Sequence, residues 1–158
     1  MKRFLSIFCF LLLLLIAIPA KEQLACSESS PFFTHFVYMF AHANVLHWAC
    51  NAWSVLALHN TLRWYRVSLA YVLAVLLSFL LPLQMPVIGA SVIVCFFIGF
   101  IAKYLYCKSR RAFYMTIALI VLSCLLPGYA GVYHVVMFAF GGAFWFAEKW
   151  CKKTISNF

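Results

Sequence analysis

Long stretches without a charged residue limit what this chain can fold into. They are residues 4–20, 29–62, 67–102 and 112–147, and the last two are 36 residues each. Because a helix crosses a bilayer with about 20 apolar residues, each 36-residue stretch is long enough for two short helices and a turn. The expected turns lie at Pro82 to Pro86 and at Pro127-Gly128, where proline and glycine interrupt the apolar sequence.

These stretches predict six helices, and the composition places them in a membrane. Apolar residues make up 67% of the chain and charged residues 9%. An average soluble chain has about 25% charged residues. We therefore expect an all-α integral membrane protein that forms one domain over residues 1–158, with the core at 31–148. The predicted helices lie at about 4–20, 43–60, 67–82, 88–106, 112–126 and 131–148.

The charged residues exclude several classes of protein. The chain has three acidic residues, all glutamate (Glu22, Glu28 and Glu148), and no aspartate. A paired-aspartate protease is therefore excluded, and a carboxylate-rich metal site is not expected. Apolarity excludes intrinsic disorder. The net charge of +9 does not indicate nucleic-acid binding, because a basic binding face requires a soluble surface.

The basic residues predict the topology. With six helices, eleven of the twelve lysines and arginines fall on one side of the membrane, and only Lys21 falls on the other. By the positive-inside rule, both termini are then cytoplasmic. The charge is explained by membrane insertion and needs no anionic partner.

The first segment has two interpretations. Residues 1–20 fit a first transmembrane helix, but a basic start, an apolar stretch and the small-residue end at Pro19-Ala20 also fit a cleaved signal peptide. In either case, residue 21 starts outside, so the predicted topology of the later helices is the same.

The seven cysteines do not indicate redox chemistry. All but Cys26 fall within predicted helices or on the cytoplasmic side, and no Cys-x-x-Cys sequence occurs. Cys26 alone faces the oxidising compartment, so it has no disulfide partner there. We expect no cofactor and no metal, because no carboxylate or outer cysteine completes a ligand set with the histidines.

Polar side chains within apolar helices are costly in a bilayer and typically mark a functional site. Five stand out: His42, His47 and Asn51 near the second predicted helix, Ser91 in the fourth and His134 in the sixth. All three helices run from outside to inside in the predicted topology. Since each of these residues lies near the start of its helix, all five are expected at a similar depth in the outer part of the membrane.

This set of side chains suits acyl transfer. A serine hydroxyl becomes a nucleophile when a base removes its proton, and His134 is a base of suitable pKa for Ser91. His47 and Asn51 are four residues apart, so they share a helix face and offer hydrogen-bond donors to an oxyanion. No acid is placed to orient His134, so a Ser/His dyad is expected. The alternatives are that Ser91 bonds its own backbone and that His134 links helices.

The same residues form short motifs. The second predicted helix carries His-x4-His-x3-Asn at His42, His47 and Asn51, and a Gly-x-Ser sequence follows at Gly89 and Ser91.

Two further glycines extend the pattern. Gly99 follows Ser91 by eight residues, and Gly141 follows His134 by seven. In order and spacing, residues 31–146 resemble the rhomboid family of intramembrane serine proteases. The resemblance implies a six-helix rhomboid-like bundle in a bacterial cytoplasmic membrane.

The resemblance also implies a role for each polar residue. Ser91 would be the nucleophile and His134 the general base of a serine endopeptidase. His47, Asn51 and the Ser91 backbone amide would hold the oxyanion, with His42 in a supporting position. The partners would be the lipid bilayer and a transmembrane protein substrate with a locally unstable helix, with no nucleic acid and no cofactor.

The chain departs from the family pattern at three positions. Val92 and Met137 stand where the family usually has glycine, and Cys95 stands where an aromatic side chain commonly stacks on the base. Small residues let transmembrane helices approach closely. A second hypothesis is therefore an inactive rhomboid-like protein that binds transmembrane segments. The resemblance further implies that residues 31–40 form a partly embedded outer loop.

Overall fold

The computed structural model of the chain describes residues 7–8, 11, 21–81, 86–125 and 131–155. The all-α prediction is confirmed: the described residues form seven helices and no strand, with one isolated bridge between Cys26 and Val87. The helices are α1 (Lys21–Leu24), α2 (Thr34–Val37), α3 (Val45–Ala57), α4 (Trp64–Leu80), α5 (Ser91–Lys108), α6 (Arg110–Leu125) and α7 (Gly131–Ile155).

The helices α3 to α7 lie where the apolar stretches predict helices, with ends that differ by three residues or fewer, except that α7 continues seven residues beyond its predicted end at 148. The short helices α1 and α2 are additional. The predicted first helix at 4–20 is described only at residues 7, 8 and 11. Of the predicted turn at 82–86 only Pro86 is described, and the predicted turn at 127–128 lies outside the described residues.

The chain divides into two compact units, Met1–Val94 and Cys95–Phe158, with the division inside α5. In the first unit, the segment before α3 is tied to α4 by two tyrosine hydroxyls. Tyr38 donates to the carbonyl oxygen of Ala74 at 3.1 Å, and Tyr71 donates to that of Phe36 at 3.0 Å. Residues 31–40 are thereby fixed beside α4 although only four of them, Thr34–Val37, are helical.

His35 adds a third tie between this segment and α4. Its Nδ1 lies 2.9 Å from the Ser78 hydroxyl and 3.2 Å from the Cys26 sulfur. Its ring stacks on Phe79 with 4.0 Å between centroids. His35 therefore has a structural role between two elements.

In the second unit, glycines allow helix backbones to touch. A Cβ at Gly99 would overlap the backbone of Phe138, and a Cβ at Gly141 would overlap that of Phe96. The part of α5 in this unit therefore packs against α7 with no side chain between them, as small residues permit in helix pairs. Gly131 allows α6 and α7 to touch in the same way, because a Cβ at this position would overlap the backbone of Cys124.

Large apolar side chains cover much of the surface. Trp53, Trp64 and Trp150 expose 76%, 80% and 76% of their area, and more than twenty other large apolar side chains are also exposed. Among the described helices, α5 alone has the length and apolarity to cross a membrane, and α4 is a shorter apolar helix.

Candidate functional site

The start of α3 is fixed by an asparagine cap. Asn44 has an extended backbone, and its side-chain oxygen accepts a hydrogen bond of 2.8 Å from the His47 backbone N–H. Asparagine is among the best residues for this position because its side chain satisfies an unpaired donor of the first turn. The cap sets where α3 begins, and thus where His47 and Asn51 stand as its third and seventh residues.

Gly89 brings the segment before Ser91 against these two side chains. Its φ is +106°, a conformation that favours glycine. A Cβ at this position would stand 2.9 Å from His47 Nε2 and 3.4 Å from Asn51 Nδ2. Both nitrogens therefore face the backbone two residues before Ser91.

The hydrogen bonds of His47 indicate which nitrogen carries its proton. The Ala43 backbone N–H donates to His47 Nδ1 at 3.4 Å. Because Nδ1 accepts, the neutral ring carries its hydrogen on Nε2. That hydrogen is the one on the side of Gly89, so His47 presents a donor to the segment before Ser91.

Asn51 and His42 hold polar atoms in unusual surroundings. Asn51 Nδ2 and both ring nitrogens of His42 are buried and have no hydrogen-bond partner among the described residues. A buried unpaired donor costs about 1–3 kcal/mol, so each such group requires an explanation, and a role in a functional site is one of them. The His42 ring meets the His47 ring edge-on with 5.4 Å between centroids, which places it next to His47.

Backbone hydrogen bonds hold the Gly89 segment from two sides. Val87 exchanges two of them with Cys26, at 2.9 and 2.8 Å. The Gly89 N–H donates to the Tyr38 carbonyl oxygen at 2.9 Å. Backbone hydrogen bonds therefore fix the approach of this segment to His47.

Ser91 is the first residue of α5 and is half-buried. The residues where the chain departs from the family pattern are buried: Val92 is fully buried and Cys95 nearly so. In the second unit, Met137 is also fully buried, three residues after His134.

His134 is the fourth residue of α7 and contacts the end of α6. Its Nδ1 lies 3.2 Å from the Ser123 hydroxyl oxygen. Ser123 also bonds its own helix, donating to the Ile120 carbonyl oxygen at 2.6 Å. The sequence did not single out Ser123, because a serine near a helix end most often bonds only its own backbone.

The structure thus brings His47 and Asn51 together beside Gly89, with His42 next to His47. Ser91 belongs to the first unit and His134 to the second. Each lies in the first turn of its helix, as His47 does. The positive φ of Gly89 was not predicted either, although glycine is the residue that adopts this conformation without a steric cost.

Comparison with known proteins identifies no relative: no protein-family model, no curated protein and no solved structure matches the chain. The resemblance to rhomboid proteases therefore stays a prediction from the motifs.

Proposed function

We propose that this protein is an intramembrane serine endopeptidase of rhomboid type, with six transmembrane helices and both termini in the cytoplasm. The observation that carries the proposal is the pair of donors beside Gly89. His47 Nε2 and the buried, unpaired Asn51 Nδ2 face the backbone just before Ser91. Donors fixed before the reaction and turned toward the place where negative charge develops are the strongest single contribution in many enzymes.

The exposed surface supports the membrane location. A soluble monomer rarely exposes large continuous apolar patches, whereas this chain exposes tryptophan, phenylalanine and leucine side chains on most of its described helices. In a bilayer, these side chains contact lipid. The multi-pass arrangement in a bacterial cytoplasmic membrane rests on the distribution of the basic residues.

In the proposed reaction, the substrate is a transmembrane protein cut near the outer face of the membrane. The Ser91 oxygen bonds to the peptide carbonyl carbon while the hydroxyl proton moves to His134. The carbonyl oxygen becomes an oxyanion, held by donors from His47, Asn51 and the Ser91 backbone amide.

The peptide C–N bond then breaks, and His134 returns the proton to the departing amine. Water hydrolyses the ester left on Ser91 by the same two steps. Because helical amides are hydrogen-bonded and closed to attack, the substrate helix must unwind locally. Glycine or proline near the cut is therefore the expected substrate feature.

The predicted topology supports the placement of the two reactive residues. Ser91 and His134 each lie near the start of a helix, and the charges predict that both helices run inward. The similar depth of the two side chains in the proposed dyad rests on this topology.

A second candidate is a protein that binds transmembrane segments without cleaving them. Val92 and Met137 favour it, because two fully buried larger side chains stand where the family has glycine. In that case, Ser91→Ala leaves the effect of the protein unchanged.

The experiment uses purified protein in liposomes with two single-span reporters that differ only in a Gly-Pro pair near the outer boundary. We expect the wild type to cut the Gly-Pro reporter faster, and Ser91→Ala to cut neither. Ser54→Ala is the matched control, since Ser54 is half-buried and bonds the Cys50 carbonyl oxygen of its own helix. A folded wild type that captures reporters by crosslinking and cuts none would favour the second candidate.

A further inference from the structure

We infer that Ser123 is a positioning residue that fixes the tautomer of His134, an inference that rests on the proposed function for its catalytic meaning. The Ser123 oxygen lies between two partners on the last turn of α6 and the first turn of α7. It is 2.6 Å from the Ile120 carbonyl oxygen and 3.2 Å from His134 Nδ1. Which way each hydrogen points follows from these two contacts.

A serine hydroxyl has one hydrogen and two lone pairs. A carbonyl oxygen has no hydrogen to give, so the shorter contact requires Ser123 to donate to Ile120. The contact with His134 is then a hydrogen bond only if Nδ1 carries the hydrogen and Ser123 accepts it. The Ser123 bond to its own helix therefore selects the Nδ1–H form of the ring.

This tautomer is the one that a general base needs. With the hydrogen on Nδ1, the Nε2 atom keeps its lone pair and can take a proton from a hydroxyl. In serine proteases with a triad, an acid gives the same orientation to the base. The one acid of the second unit, Glu148, is fourteen residues further along α7, or about 21 Å. Ser123 supplies the orientation that the Ser/His dyad lacks.

The helix packing explains how these side chains meet. A Cβ at Gly131 would overlap the backbone at Ser123 and Cys124. This close approach lies three residues before His134, within one turn. The end of α6 and the start of α7 are therefore held together at the level of the hydrogen bond, and Ser123 acts from a rigid position.

The test begins with the tautomer, which can be observed without any substrate. Protein labelled with ¹⁵N-histidine in micelles gives distinct ring nitrogen signals for the two tautomers, and His134→Gln identifies those of His134. In the wild type, we expect hydrogen on Nδ1. In Ser123→Ala, the preference for Nδ1–H should be lost, while Thr116→Val should leave it unchanged. Thr116 is the matched control, because it bonds the Ala112 carbonyl oxygen in the same helix.

The second readout is the rate of labelling by a fluorophosphonate, which reacts with an activated serine. We expect Ser123→Ala to slow it about 10–100-fold, by analogy with metal-bound histidines that lose the partner of their other nitrogen. Ser123→Thr should retain the rate and Ser123→Val should not. Threonine and valine have nearly the same shape and differ in the hydroxyl group. Comparison of these two variants therefore tests the inference even if Ser123→Ala fails to fold.

The inference is overturned if wild-type His134 carries its hydrogen on Nε2, or if Ser123→Val leaves both the tautomer and the rate unchanged. A wild type that shows the expected tautomer, loses it in Ser123→Val and is never labelled would contradict the proposed protease while supporting the role of Ser123 in orienting His134.

Discussion

Gly89 is the residue on which the geometry of the candidate site depends most. Its positive φ is unfavourable for any other residue, and a Cβ would stand 2.6 Å from the His47 ring carbon Cε1. We expect Gly89→Ala to lower the free energy of unfolding by about 1–3 kcal/mol and to reduce labelling of Ser91. Unfolding in micelles measures the first effect and the labelling rate the second. Unchanged stability would contradict this backbone conformation.

Substitution of Asn51 is expected to reduce activity without reducing stability. Its buried Nδ2 has no partner among the described residues, so Asn51→Leu removes an unpaired donor while keeping a similar shape. The free energy of unfolding should stay the same or increase. Labelling of Ser91 should fall about 100- to 1000-fold, as when an oxyanion donor is removed.

The control for Asn51 is Asn44→Ala, which removes the cap of α3. This change should cost about 1 kcal/mol of stability. A loss of stability in Asn51→Leu, with labelling retained, would show that Asn51 is a structural residue and not an oxyanion donor.

At the scale of the elements, the sequence predicts the long helices well because length and apolarity decide them. Their ends were harder to predict. The α4 helix begins at Trp64, before Arg66, and α7 continues to Ile155, past Lys149. Charge marks where a segment leaves the apolar layer, but lysine and arginine are good helix formers, so the backbone continues beyond it.

The polar residues of the site could be proposed from spacing, but their hydrogen-bond partners could not. The pairing of Ser123 with His134 depends on how closely α6 and α7 approach at Gly131. That distance follows from the packing of two helices joined by a turn, and no motif in either helix encodes it.

Two neighbouring glycines of α7 test the helix contact. Gly141→Ala places a Cβ into the backbone of Phe96, whereas at Gly142 the nearest atom in the way would be the Gly99 oxygen at 3.8 Å. We expect Gly141→Ala to lower the free energy of unfolding by about 1–3 kcal/mol, as overpacking does. Gly142→Ala should be neutral or stabilising, because alanine is the better helix former.

Thermal unfolding in micelles measures the stability of both variants. Equal stability of Gly141→Ala and Gly142→Ala would contradict the direct backbone contact of α5 with α7.

At the scale of the whole molecule, the proposed topology predicts which thiols react from each side of the membrane. Cys107 and Cys151 are exposed beside basic residues, so a membrane-impermeant maleimide should reach them only from the cytoplasmic side. Cys26 lies on the outer side in this topology but is fully buried, and burial raises the pKa of its thiol. Little thiolate is then present at pH 7.

Single-cysteine variants in oriented vesicles measure this difference. We expect Cys26 to react from neither side until the protein is unfolded. Reaction of Cys107 from the outer side would contradict the topology, and rapid reaction of native Cys26 would contradict the packing of the segment between α1 and α2.

The proposed function depends on the activation of Ser91 by His134 within a membrane protein. The most direct measurement is fluorophosphonate labelling in membranes, followed by mapping of the modified residue, at matched expression of wild type, Ser91→Ala and His134→Ala. We expect an adduct on Ser91 in the wild type and none in either variant. A folded wild type without an adduct, or one modified at another residue, would contradict it.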